Sequence, residues 1–121
     1  MIIAVDFDGT CVEHKYPDIG LNVPGAVTAL KELATSGHKL ILYTMRSGEE
    51  LDAACKWFFE NEIPLWCANA NPMQSEWTLS PKVYAHKYID DAAIGCPLRP
   101  GIQGTRPMVD WTLVMDHFDG A

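Results

Sequence analysis

The chain has 121 residues, 48% of them apolar, with four Trp and a formal net charge of −7 at neutral pH. That is enough chain for one domain with a single core, and too apolar a composition for disorder. The excess of acids argues against a general nucleic-acid binder, which presents a basic face, and no apolar stretch approaches the roughly 20 residues of a membrane span.

The apolar run "MIIAV" opens the chain and predicts a central parallel strand covered on both faces. It meets Asp6 too early for a signal-peptide core, and no basic leader precedes it, so the expectation is a soluble, cytoplasmic protein. Residues 11–23 read as a polar loop. Pro24 then opens a helix with Val27, Leu30 and Leu33 on one face and Gly37 as its stop. "KLILYT" is a second buried strand ending on Thr44. Ser47 and Glu50 have capping-box spacing and start a helix with Leu51, Ala54, Cys55, Phe58 and Phe59 on its apolar face.

"IPLWCA" is a third, short strand, and residues 69–81 are polar and turn-rich. "HKYIDD" is a fourth strand ending on Asp90 and Asp91, "AAIGCPL" holds a short fifth, and "RPGIQGTRP" is a loop. A last helix over roughly 106–118 carries Val109, Leu113, Val114 and Phe118. The four cysteines form no C-x-x-C pair and have no matching His spacing, which predicts reduced cysteines used as small hydrophobes. His14, His38, His86 and His117 likewise show no ligand spacing.

Strand and helix alternate. The expected fold class is therefore α/β: a single-domain, right-handed doubly wound, Rossmann-like, mainly parallel sheet with flanking helices over residues 1–121. Ligands of such sheets bind at the carboxyl ends of the strands, near the point where strand order reverses. Asp6, Asp8, Thr44, Asp90 and Asp91 all fall at those ends. Side chains alternate along a strand, so continued extension would put Asp6 and Asp8 on one side and Phe7 on the other. Holding two like charges there is costly unless a cation lies between them.

"DFDGT" after an apolar strand resembles the first motif of the haloacid dehalogenase (HAD) superfamily. If each fixed residue occurs at roughly 6%, D-x-D-G-T arises by chance about once in 80,000 positions. The other motifs follow in the superfamily's order: Thr44 at a strand end, Lys82 as the third, and "YIDD" as the fourth, so the resemblance spans residues 2 to 91.

The resemblance implies a Mg²⁺-dependent phosphomonoester hydrolase. Asp6 would attack phosphorus to form an aspartyl-phosphate, and Asp8 would protonate the leaving oxygen and then activate water. An acid two residues after the nucleophile favours phosphate-ester hydrolysis over the superfamily's ATPases and dehalogenases. A phosphate dianion facing an ionised carboxylate meets about 4 kcal/mol per charge pair at about 4 Å and an effective dielectric of about 20, which a bound Mg²⁺ offsets. Asp6, the backbone carbonyl of Asp8 and Asp91 would hold the ion, with Asp90 bound directly or through water. The Thr44 hydroxyl would donate to a phosphoryl oxygen. Lys82, or alternatively Lys87, would neutralise phosphate and nucleophile. Arg46 would bind a leaving-group phosphate or carboxylate bidentately.

No interval between the motifs reaches the roughly 50 residues of an independent cap domain. The expected protein is capless, with "CVEHKYPDIG" and "WCANANPMQSEW" as rims and Trp66 or Trp77 as candidate ring contacts. An open site suits a bulky phosphorylated substrate or closure by a second copy in a homo-oligomer. Two other classes compete. A receiver-like signalling module uses similar groups, but its acidic pair is adjacent on the first strand and its phosphorylated Asp comes later. A catalytically inactive binding domain on the HAD fold would not need the full acid set.

Overall fold

The computed structural model describes residues 1–118, apart from the side chain of Gln103. Four parallel strands form the main sheet: β1 (Ile2–Val5), β2 (Lys39–Leu42), β3 (Cys67–Ala68) and β4 (Lys87–Ile89), in the order β3-β2-β1-β4. The helices α1 (Ala26–Thr35) and α2 (Gly48–Glu60) link the first three strands. A two-stranded antiparallel ribbon, β5 (Leu98–Arg99) with β6 (Met108–Val109), leads into α3 (Trp111–Asp116). This is an α/β architecture of Rossmann-like type.

From β1 the chain steps to β2 and β3 in one direction, and β4 lies on the other side of β1. Both helical crossovers thus run the same way, and right-handed connections put α1 and α2 on one face. The core shows it. Ile3, Val5, Leu40, Leu42 and Ile89 pack in one cluster with Leu30 and Leu33 of α1 and Ala54, Trp57 and Phe58 of α2. Phe7 joins them, its ring 5.6 Å from that of Trp57.

The opposite face carries Ala4, Ile41 and Tyr88, register partners across three strands. The segment from β3 back to β4 contains no α-helix, only a 3₁₀ turn at Gln74–Glu76, with Val83 and Ala85 as its buried apolar residues. The doubly wound expectation is therefore corrected: one face has a helical layer and the other has a loop.

Other local expectations shift as well. Phe59 is 83% exposed, whereas Trp57 is buried, its indole Nε1 donating to Asn22 Oδ1 at 2.8 Å. The i+8 position of a 13-residue helix has rotated past the core, and the large indole reaches in from the flank. Ser47 is the N-cap of α2 but its hydroxyl makes no cap bond. The last helix starts later than its apolar pattern suggests. Val109 belongs to β6, and Asp110 caps α3 by accepting from the Leu113 N–H at 3.1 Å. Cys11, Val12 and Val23 of the polar loop are fully or almost fully buried. All four cysteines are free thiols. No helix among the described residues is long and apolar enough to cross a membrane.

Candidate active site

Strand order reverses beside β1, so the carboxyl ends of β1 and β4 flank the crevice where ligands of such sheets bind. Sheet pairing continues one residue past β1, with the Asp6 N–H donating to Ile89 O at 2.9 Å. The chain then closes into a single tight turn. Phe7 O accepts from the N–H groups of Thr10, Cys11 and Val12. Gly9 makes this possible with φ +85°, and a side chain there would collide with His14 and Asp91.

Thr10 is fully buried and organises the acids. Its hydroxyl donates to Asp6 Oδ2 at 3.0 Å and accepts from the Asp91 N–H at 3.4 Å. Its carbonyl accepts from Trp111 Nε1 at 2.7 Å, and Val109 N–H donates to Gly9 O at 2.9 Å, so β6 and α3 brace the turn from behind.

Oxygens of Asp6, Asp90 and Asp91 lie within 4.8 Å of one another, an arrangement that fits a hard cation bound through oxygen. His14 Nε2 lies 2.7 Å from Asp91 Oδ2, and Asp90 Oδ1 accepts from the Ala92 N–H at 2.9 Å. With only protein groups around it, the Asp6 carboxyl is pushed up to about 8, first by burial, then by the Asp90 charge and a hydrogen bond with Asp91, against a lowering bond from Thr10.

Asp8 points elsewhere. Arg46 grips it bidentately, Nε to Oδ2 and Nη2 to Oδ1, both at 2.8 Å. The remaining guanidinium donors go to Asp18 O, Pro17 O and Glu50 O. Arg46 is 2% exposed and lies between the rings of Phe7 and Tyr16, 5.0 and 5.1 Å from their centroids. The two carboxylates are thus separated, rather than held together by continued extension.

Thr44 sits where β2 ends. Its hydroxyl accepts from the Arg46 N–H at 3.2 Å, and its own N–H donates to Asn69 Oδ1 at 2.8 Å. Lys82 is exposed, with its ammonium 5.6 Å from the centre of the Tyr88 ring. Lys87 belongs to β4 and pairs in register with Ile3, while Tyr88 pairs with Ala4 on the opposite face. Among the described residues, no ion pair joins either lysine to Asp6, Asp8, Asp90 or Asp91.

The structure therefore brings Asp6, Asp90 and Asp91 together, sets Asp8 in an arginine clasp, and pairs neither lysine with these acids among the described residues. Thr10 and His14 are the contributors that sequence reasoning left unassigned. Thr10 had a local signal, standing four residues after Asp6 just past a glycine. His14 had none, because its partner lies 77 residues away.

The fold and this cluster define an α/β protein with grouped acids at the carboxyl ends of its parallel strands. No protein-family model and no curated protein matches the chain. Among solved structures it is similar to the conserved protein coded by a locus of Bacteroides thetaiotaomicron, at 37% identity and a TM-score of 0.79, over 100% of this chain and 93% of that one. The chain belongs to the same family as that protein.

Proposed function

We propose that this protein is a phosphomonoester hydrolase of the HAD type, dependent on a divalent cation, with Mg²⁺ as the metal and Asp6 as nucleophile. The observation that carries the reading is the position of Asp6. It ends the central strand at the switch point, grouped with Asp90 and Asp91, and has Asp8 two residues on. Asp6, Asp90 and Asp91 would hold the ion, and the backbone carbonyl of Asp8 would complete the protein's share. When bound, the cation neutralises phosphoryl charge that would otherwise repel the acids.

The chain's own groups divide the rest. An Asp6 oxygen forms a bond to phosphorus as the bond to the leaving oxygen breaks, and that oxygen takes the proton of Asp8. A water then attacks phosphorus, gives its proton to Asp8, and releases Asp6 as a carboxylate and the product as phosphate. Thr10 fixes the orientation of Asp6, and His14 that of Asp91. Thr44 serves the reaction by shaping the turn that presents Arg46, and its hydroxyl would donate to a phosphoryl oxygen. Lys82 is the cation proposed to approach the phosphate on binding, ahead of Lys87. A site at the strand ends suits a bulky phosphorylated substrate, or closure over the substrate by a second copy of the chain.

The test is phosphate release from a broad panel of phosphomonoesters, including nucleotides, sugar phosphates and phosphorylated polymers, with and without Mg²⁺. Hydrolysis that EDTA abolishes and Mg²⁺ restores is the expected result. No hydrolysis of any ester with metal present, or full activity in metal-free buffer, rejects the reading.

A further inference from the structure

A charged side chain that is 2% exposed and has a protein acceptor for each N–H has no donor left for a substrate. Arg46 is such a group, so binding of a leaving-group anion is not its role. Its acceptors come from four places: the Asp8 carboxylate, Pro17 and Asp18 in the loop after β1, and Glu50 in the first turn of α2. The Phe7 and Tyr16 rings close over its two sides. The Thr44 hydroxyl and Asn69 hold the turn that delivers it.

A carboxylate offers about four lone-pair positions, and the fork occupies one on each Asp8 oxygen. The other two stay available for a proton while the carboxylate plane is locked. Asp8 keeps 19% side-chain exposure against 1% for Arg46, so of the two the acid alone stays accessible.

We propose that Arg46 is a positioning residue that acts through Asp8: the buried fork fixes the plane of the proton-transfer carboxylate and ties it to the 17–18 loop and to α2. This rests on the phosphatase reading above. A fixed plane matters because misplacing a reacting group by about 1 Å costs roughly 10²-fold in rate. Lysine in place of arginine keeps the charge but supplies no planar fork.

The test measures kcat and KM with Mg²⁺ on aryl phosphates graded from p-nitrophenyl, whose leaving group scarcely needs a proton, to phenyl, whose leaving group does. It compares the unmodified protein with Arg46→Lys, Arg46→Gln, Asp8→Asn and the Asp8→Asn/Arg46→Lys double variant, with thermal unfolding as the control for folding. Arg46→Lys is expected to lose roughly 10- to 10²-fold in kcat/KM on phenyl phosphate and clearly less on p-nitrophenyl phosphate, because kcat/KM reports the first step alone, whereas water attack through Asp8 lowers kcat on either ester. In the Asp8→Asn background the same substitution is expected to cost nothing further, since both act through one group.

A loss of kcat/KM that is uniform across leaving groups, or additive losses in the double variant, overturns the proposal and leaves the phosphatase reading standing. Loss of cooperative unfolding in both Arg46 variants also overturns it, making Arg46 a purely structural clamp. An unmodified protein inactive on the whole series removes the phosphatase reading, and the role of Arg46 falls with it.

Discussion

Two aspartates two residues apart stand in opposite surroundings. Asp6 lies among acids, with Asp90 and Asp91 beside it and its carboxyl pushed up to about 8. Asp8 lies in a cationic clasp, both oxygens held by Arg46 at 2.8 Å. The tight turn after β1 causes the divergence, because Gly9 at φ +85° ends the extended backbone that would have aimed both side chains the same way. The difference teaches how one strand end supports two tasks. In the proposed function the acid pocket is completed by an external cation, whereas the clasp supplies its own.

The largest effects should fall on the acid pocket. Asp6→Asn is expected to remove turnover entirely, because an amide oxygen is a poor nucleophile. Asp8→Asn should cost roughly 10² to 10⁴ in rate, the range of a lost general acid–base group. Steady-state assays on one activated ester rank the two, and equal losses would erase the distinction between the regions.

Next in size is the support of the proposed metal ligands. Asp91→Asn should weaken Mg²⁺ binding. His14→Ala, which removes only the group 2.7 Å from Asp91, should weaken it by roughly 10- to 100-fold, as loss of an outer partner typically does. Calorimetric Mg²⁺ titration checks both, and an unchanged isotherm for Asp91→Asn would move the ligand role to Asp90. Lys82→Met is expected to raise KM by about tenfold, the scale of one charge pair largely screened by water, and Lys87→Met much less. The reverse ranking would exchange the two lysines.

A separate effect, on stability rather than rate or affinity, follows from Asp6. Its carboxyl titrates near 8 in the folded chain against an ordinary 3.8, so between those values the folded state holds a proton that the unfolded state has lost. Stability from this group is full below about pH 4 and is lost as pH rises through 8. In EDTA the thermal midpoint should therefore fall from pH 5 to pH 8 and level above it. Saturating Mg²⁺, which takes the place of the proton, should flatten the slope, as should Asp6→Asn. An unchanged slope in Asp6→Asn assigns the pH dependence to other groups.

Much of this was legible from sequence because it is local. The apolar runs of β1 and β2, the α2 face through Ala54 and Phe58, and the acids at two strand ends are short-range patterns with a fixed period. What was not legible depends on partners distant in the chain. Asp8 looked like a second pocket acid because alternation assumes extension, and only Arg46, 38 residues on, shows where it points. The loop-covered face could not be read, since a buried strand has the same apolar run whether a helix or a loop lies over it. Val109 fitted a helical spacing but was taken into β6 by pairing with Leu98.

The identity of the phosphorylated residue decides whether Asp6 is the nucleophile. Asp8→Asn keeps the nucleophile and loses the group that activates water, so with an activated aryl phosphate the first step should outrun the second. Acid quench within the first turnovers should trap a stoichiometric phosphoenzyme, and peptide mapping should place the phosphoryl group on Asp6. Finding it on Asp8, Asp90 or Asp91 in the unmodified protein, or trapping none in Asp8→Asn while ester is still cleaved, would contradict the assignment of Asp6 as nucleophile.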